Sequence, residues 1–260
     1  MLSDVGCQRE LNEDAGVIVR PADPEVLDRR GVLAIVADGM GGHAGGEIAS
    51  RLAVDVIHRS YYESRGPIGD ALKTALDEAN TEIYRQAQHD PQVAGMGTTC
   101  VAVAICRDEA SVASVGDSRL YLVRGGRIYQ MTTDDSAVGK LVREGALNRA
   151  DARTHQERNV ILRAIGTHES VEISGWPAPF PVRAGDVFLL CSDGLTDLVA
   201  DAEILALMDA AADEADTCRR LVDAARSRGG FDNITAVVLR LMNETAHAAP
   251  VPVTRELKVT

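Results

Sequence analysis

The chain has 260 residues, 45% hydrophobic and 25% charged, proportions of an ordinary globular domain that exclude disordered, collagenous and low-complexity classes. Its 39 acidic residues outnumber 27 basic ones, for a formal charge of -12, which argues against nucleic acid and anionic membrane as partners. Aromatic residues make up only 3%, so the core has to be assembled from Ala, Val, Leu and Ile.

The elements follow in chain order from hydrophobic periodicity. Apolar runs at Ala15–Val19, Val32–Ala37, Val101–Ile105, Val112–Val115, Val187–Cys191 and Ile234–Leu241 predict buried strands. In Val101-Ala102-Val103-Ala104-Ile105 large and small side chains alternate. One face then carries bulk and the other lets a second sheet approach, which suits a sheet covered on both sides. Between the Val32 and Val101 runs, Ile48, Leu52 and Val56, then Ile68, Leu72, Leu76, Ala79 and Ile83, recur at spacings of three and four. These are the stripes of two amphipathic helices, with Pro67 tolerated near the start of the second. A further helix is predicted within Asp216–Arg228, closed by Gly229-Gly230.

Turns at Arg107-Asp108 and Gly125-Gly126 join strands as hairpins, and the helices fall in separate blocks. The fold class is therefore α+β with mainly antiparallel sheets. Residues 134–170 are polar, hold Gly139, Gly145 and Gly166, and interrupt the strand pattern; they predict a helical flap over one sheet edge. Residues 1–242 form one domain on this reading, and residues 243–260 a flexible tail.

Cys7, Cys100, Cys106, Cys191 and Cys218 are odd in number and form no C-x-x-C pair, so neither a disulfide framework nor a zinc site is expected. A reducing compartment fits. The first residues place no apolar stretch behind a basic start, and no run approaches the roughly 18 residues of a spanning helix. A cytoplasmic protein with no membrane partner is expected.

The chemistry resides in carboxylates at strand ends. Asp38, Asp117 and Asp193 each follow an apolar run beside a glycine, Asp232 precedes the last strand, and Asp14 precedes the first run. A single Asp-Gly is ordinarily a turn. In an antiparallel sheet, however, the end of one strand lies beside the start of its neighbour, so all five can meet at one edge. Carboxylates without Lys or Arg partners repel one another unless cations sit among them. An all-oxygen donor set points to Mg²⁺ or Mn²⁺ rather than Zn²⁺, and two such ions about 4 Å apart suit hydrolysis of a phosphate ester. The run Asp38-Gly39-Met40-Gly41-Gly42-His43-Ala44-Gly45-Gly46-Glu47 lacks the Lys-Ser/Thr of a phosphate-binding loop. Its glycines instead let backbone approach the ions, with the Gly39 carbonyl as a ligand.

Six strings occur in order: Arg9-x-x-Asn12-Glu13-Asp14, Val36-Ala37-Asp38-Gly39-Met40-Gly41-Gly42-His43, Gly95-Met96-Gly97-Thr98-Thr99, Val115-Gly116-Asp117-Ser118-Arg119, Cys191-Ser192-Asp193-Gly194-Leu195-Thr196-Asp197 and Asp232-Asn233-Ile234-Thr235. Over about residues 1 to 242 they resemble the motifs of the metal-dependent protein phosphatase family, also called protein phosphatase 2C. The resemblance implies a four-layer αββα sandwich, two Mn²⁺ or Mg²⁺ ions with a position for a third, and hydrolysis of phosphoserine and phosphothreonine in proteins by a metal-bridging water. It further implies a protein that opposes bacterial Ser/Thr kinases; a monomer is expected.

Carried over by residue, Asp38 resembles the bridging ligand, Gly39 supplies its carbonyl, and Asp193 and Asp232 bind one ion. Glu13 and Asp14 resemble direct or water-mediated ligands on the other side, Asp117 and Asp197 hold the third, and Arg9 grips the substrate phosphate. Animal members place a His directly after the Asp-Gly; here Met40 stands there, leaving His43 or a solvent water as proton donor to the leaving group. Bacterial members commonly read Asp-His-Ser before the flap, where this chain reads Asp134-Asp135-Ser136. Arg119 is expected to be structural, pairing near Asp117, and Cys191 to be a buried small residue. A catalytically silent metal-binding module that recognises phosphoproteins is the alternative; an intact acidic set argues against it.

Overall fold

The computed structural model describes residues 1–41 and 45–242; the tail expected at 243–260 lies outside the described residues. One sheet contains β1 (Leu2–Asp4), β7 (Arg119–Arg124), β8 (Arg127–Gln130), β11 (Val187–Cys191) and β12 (Ile234–Arg240), in the order β1-β12-β11-β7-β8. The other runs β10-β6-β5-β3-β2, built from β2 (Asp14–Val19), β3 (Val32–Met40), β5 (Cys100–Cys106), β6 (Glu109–Val115) and β10 (Phe180–Pro181). Short β4 (Gly97–Thr98) and β9 (Ser174–Gly175) join β3 and β6. All pairings are antiparallel.

Helices cover both outer faces. Of α1 (Pro24–Arg30), α2 (Gly45–Glu63) and α3 (Ile68–His89), the latter two pack on the β2–β6 sheet. The last three, α6 (Asp193–Thr196), α7 (Asp201–Asp209) and α8 (Glu214–Ser227), pack on the β11–β12 sheet. A third apolar layer, with Val36, Val101, Leu120, Phe188 and Val237, lies between the sheets. The α+β, four-layer αββα expectation is met. The insertion carries two short helices, α4 (Ala137–Arg143) and α5 (Arg149–Ala152). No helix among the described residues is long and apolar enough to cross a membrane.

One local expectation is reversed. The small face of β5, with Ala102 and Ala104, turns toward the helices, whereas Val101 and Val103 fill the space between sheets. The helices bring their own bulk to the interface, Leu72, Leu76 and Ile83 from α3, so the strand beneath has to be thin there. Between the sheets both walls are pleated, and valine is needed to fill the gap. The five cysteines are all free, and four of them are buried.

Candidate metal centre

The strand ends converge as antiparallel pairing requires. Asp14 at the start of β2 lies directly opposite Asp38 near the end of β3. In the other sheet Cys191, ending β11, faces Ala236 on one side and Arg119 on the other. That register brings Asp193, just past β11, together with Asp232, just before β12, and Asp117, just before β7. The two sheet ends are stitched by Ser192, whose hydroxyl donates to Asp14 Oδ2 at 2.8 Å and accepts from the Thr235 N–H at 3.0 Å.

Backbone contacts fix the remaining members. Glu13 donates its N–H to Asn233 Oδ1 at 2.8 Å and accepts from the Gly39 N–H at 3.1 Å. The Asn233 amide also donates to the carbonyls of Val5 and Leu11 at 3.0 and 2.9 Å, tying the Arg9 loop to β12. Close approach explains the glycines of this segment: a Cβ on Gly39 would lie 2.0 Å from the Gly46 carbonyl oxygen, and one on Gly46 would lie 2.4 Å from Glu13 Oε1. Ser192 and Asn233, which hold Asp14 and Glu13, carried no assigned role in the sequence. Asn233 was visible within its motif, whereas the reach of Ser192 depends on how two sheets stack.

The cluster is electrostatically unfinished. Glu13 Oε1, Asp14 Oδ1, Asp117 Oδ1 and Asp193 Oδ1 are buried with no hydrogen-bond partner. Enclosure, reinforced by Asp193 and Asp232, pushes the Asp14 carboxyl up to about 7 despite its Ser192 and Thr235 hydrogen bonds. Asp38 is raised well above the usual carboxylate range, first by burial and then by Asp14, Asp193 and Asp117. Burial likewise raises Asp117, Asp193 and Glu13. Asp38 and Asp193 are close enough to share a hydrogen bond between their carboxyls. Among the described residues no three His, Cys, Asp or Glu side chains close into a ready-made cation cage. The four partnerless oxygens still leave repulsion to be relieved, and a proton between two carboxyls relieves it at a different spacing from a cation. The donor chemistry, oxygen only, fits a hard divalent cation.

Arg9 stands over this edge, its Nη2 2.7 Å from Asp232 Oδ2 and half exposed; it also feels Glu13 and Asp38. Asp197 closes α6 beside Asp193. Burial and Asp193 lift its carboxyl to about 7 against the pull of Arg158, which lies 3.6 Å away. His43 lies outside the described residues. Arg119 does not pair with Asp117. Its Nε and Nη2 grip both oxygens of Asp134 at 2.6–3.1 Å, and Nη1 donates to the Tyr121 hydroxyl at 3.0 Å. The reason is position: Asp134, four residues past the end of β8, is held by the Gln130 amide, which donates to its Oδ1 at 2.8 Å, and presents both oxygens to the guanidinium fork.

A family model described as Protein phosphatase 2C matches residues 11–228. The chain is 35% identical over 242 residues to the "Serine/threonine phosphatase stp" of Listeria innocua, covering 91% of this chain and 93% of that one. It superposes with a TM-score of 0.82 on the crystal structure of the Mycobacterium tuberculosis serine/threonine phosphatase PstP/Ppp, at 37% identity and covering 93% and 97% of the two chains. The catalytic domain of PstP in complex with two manganese ions aligns with a TM-score of 0.79 at 35% identity, covering 93% and 96%.

Proposed function

The chain belongs to the protein phosphatase 2C family, and we propose that its carboxylate edge is the metal centre of a serine/threonine protein phosphatase. One observation carries this reading: four buried carboxylate oxygens, on Glu13, Asp14, Asp117 and Asp193, lie at the joined ends of the two sheets without hydrogen-bond partners.

Asp38 would bridge two ions, with the Gly39 carbonyl, Asp193, Asp232 and Glu13 completing their surroundings and Asp14 acting directly or through water. Asp117 and Asp197 offer a third, weaker position, since Asp197 is already shared with Arg158. Bound Mn²⁺ or Mg²⁺ supplies charge neutralisation and a water acidic enough to attack phosphorus. Arg9 captures the substrate phosphate through its fork, exchanging Asp232 for phosphate oxygens. Ser192 and Asn233 hold Asp14 and Glu13 in place, so the ligands need not reorganise. His43 or solvent returns the proton to the leaving alkoxide.

Residues 1–242 serve as one catalytic domain with a flap at 134–170, acting as a monomer in the cytoplasm on proteins phosphorylated by Ser/Thr kinases. The decisive experiment is Mn²⁺-dependent hydrolysis of p-nitrophenyl phosphate and of a phosphothreonine peptide. Turnover that vanishes with chelator supports the reading; an inert, metal-loaded wild type overturns it.

A further inference from the structure

A cavity of about 180 Å³ opens between the flap and the end of the β11–β12 sheet. Its core wall starts at Asp117, Asp193 and Asp197 and runs on, past the metal centre, to Asp201 at the start of α7. Its flap wall carries Arg143, Arg149, Arg153 and Arg158, with Asp134 at its base as the one acidic lining residue of the flap. With Arg119 they set five arginines against the five aspartates of the lining, Asp117, Asp134, Asp193, Asp197 and Asp201, so in a chain of net charge -12 the cavity is formally neutral, with its free arginines gathered on the flap side.

These guanidiniums are only partly engaged. Arg158 lies 3.6 Å from Asp197, Arg153 3.6 Å and Arg149 3.8 Å from Asp201, close enough to attract but with no hydrogen bond formed to either carboxylate. Arg143 donates to the Asp134 carbonyl at 2.6 Å, Arg153 to the Val199 carbonyl at 3.1 Å and Arg149 to Gln130 Oε1 at 3.2 Å. The side chain of Arg158 makes no hydrogen bond among the described residues. Each guanidinium has five N–H donors, so most of the donors on this wall are uncommitted. Arg119, in the same cavity, is the contrast: its fork is filled by Asp134 and Tyr121.

We propose that this cavity is a second anion site, which takes an additional phosphate group carried by the substrate chain, so that polypeptides phosphorylated at two nearby residues are preferred. The proposal rests on the phosphatase reading, because the first phosphate is the one held at the carboxylate edge. A tetrahedral dianion presents several acceptor oxygens to several forks at once, and partial enclosure by the flap strengthens each contact. Asp201 and Asp197 do not fill the forks themselves, which leaves the arginines available without leaving them uncompensated.

The test uses the full chain loaded with Mn²⁺ and two peptides of one sequence, the first with a single phosphothreonine and the second with an added phosphoserine roughly two to four residues away, a span of up to about 3.3 Å per residue. We expect kcat/KM to be about tenfold higher for the doubly phosphorylated peptide, the value of one charge-assisted contact, with the difference in KM. The double variant Arg149→Gln/Arg153→Gln should bring the ratio to about one and leave p-nitrophenyl phosphate turnover unchanged; lysine at both positions should restore part of the preference. Arg149→Gln alone, at a side chain 70% exposed, keeps the fold intact and should lower the ratio partway. A wild type without preference, a preference the variants leave untouched, or equal preference for glutamate in place of the added phosphoserine overturns the proposal. If wild type fails on p-nitrophenyl phosphate, it is the phosphatase reading that fails. Fluorescence anisotropy of the labelled doubly phosphorylated peptide, wild type against the double variant, then still decides the anion site.

Discussion

Asp135 of the flap and Gly116 of the core exchange two hydrogen bonds: the Gly116 N–H donates to Asp135 Oδ2 at 3.2 Å, and the Asp135 N–H donates to the Gly116 carbonyl at 2.9 Å. The other carboxylate oxygen takes Arg163, which also reaches Glu172. Gly116 has a φ of +97°, and a Cβ there would lie 2.6 Å from Thr99 Cβ, so the turn aiming Asp117 is held in a shape only glycine allows. The aspartate that departs from Asp-His-Ser thus fastens residues 134–170 to the carboxylate edge. Asp135→Ala should cost about 2 kcal/mol, below the 3–5 typical of broken buried pairs because Arg163 keeps solvent and Glu172. It should also raise the Mn²⁺ concentration needed for half-maximal activity. Urea unfolding and a Mn²⁺ titration check both; an unchanged titration would remove Asp135 from any role at Asp117.

Asp38→Asn and Asp193→Asn should each lower kcat by about a hundredfold or more, the several kcal/mol that ion-mediated charge stabilisation supplies. In chelator the same variants should melt above wild type, because each removes one of several like charges from a shared enclosure. Scanning calorimetry beside steady-state rates tests the pair. Wild-type turnover in Asp38→Asn under saturating Mn²⁺ would defeat the ligand assignment.

Metal-free protein should lose stability as pH rises. Asp14 and Asp197 titrate near 7 when folded and near about 3.9 when unfolded, so between those values the native state binds more protons. Stability is complete below the unfolded value and declines through the folded one. Mn²⁺ competes with those protons and should flatten or reverse the slope. A melting temperature in chelator that climbs from pH 5 to pH 8 would contradict this.

Arg9→Ala should act on capture rather than turnover, raising KM for a phosphopeptide by about tenfold or more, the worth of a charge-assisted hydrogen bond. Arg9→Lys keeps the charge but loses the fork and should fall between. A change confined to kcat would place Arg9 elsewhere in the reaction.

The carboxylate edge was legible because two rules act together: apolar runs locate strands, and antiparallel pairing brings alternate ends to one side. Asp14 opposite Asp38 is that rule at single-residue register. What was not legible depends on stacking. Nothing local in Arg119 distinguishes Asp134 from Asp117 as its partner, and the Ser192–Asp14 contact crosses two sheets. That Ala102 and Ala104 turn outward to the helices is set by what covers them. Helix α7 also escaped notice: its sequence DAEILALMD is apolar nearly all round, and only Ile204 and Met208 are buried, so no narrow stripe marks it.

β1 pairs with β12, and the carboxylate edge includes both Glu13 and Asp232. A chain emerging from the ribosome therefore possesses Arg9, Asp14 and Asp38 long before Asp232, and β12 is the strand that brings Asp232, Asn233 and Thr235 beside them. Until it docks, Ser192 lacks Thr235 and Glu13 lacks Asn233. The contacts that order the carboxylate edge therefore span nearly the whole described chain, and they are complete only when β12 is in place.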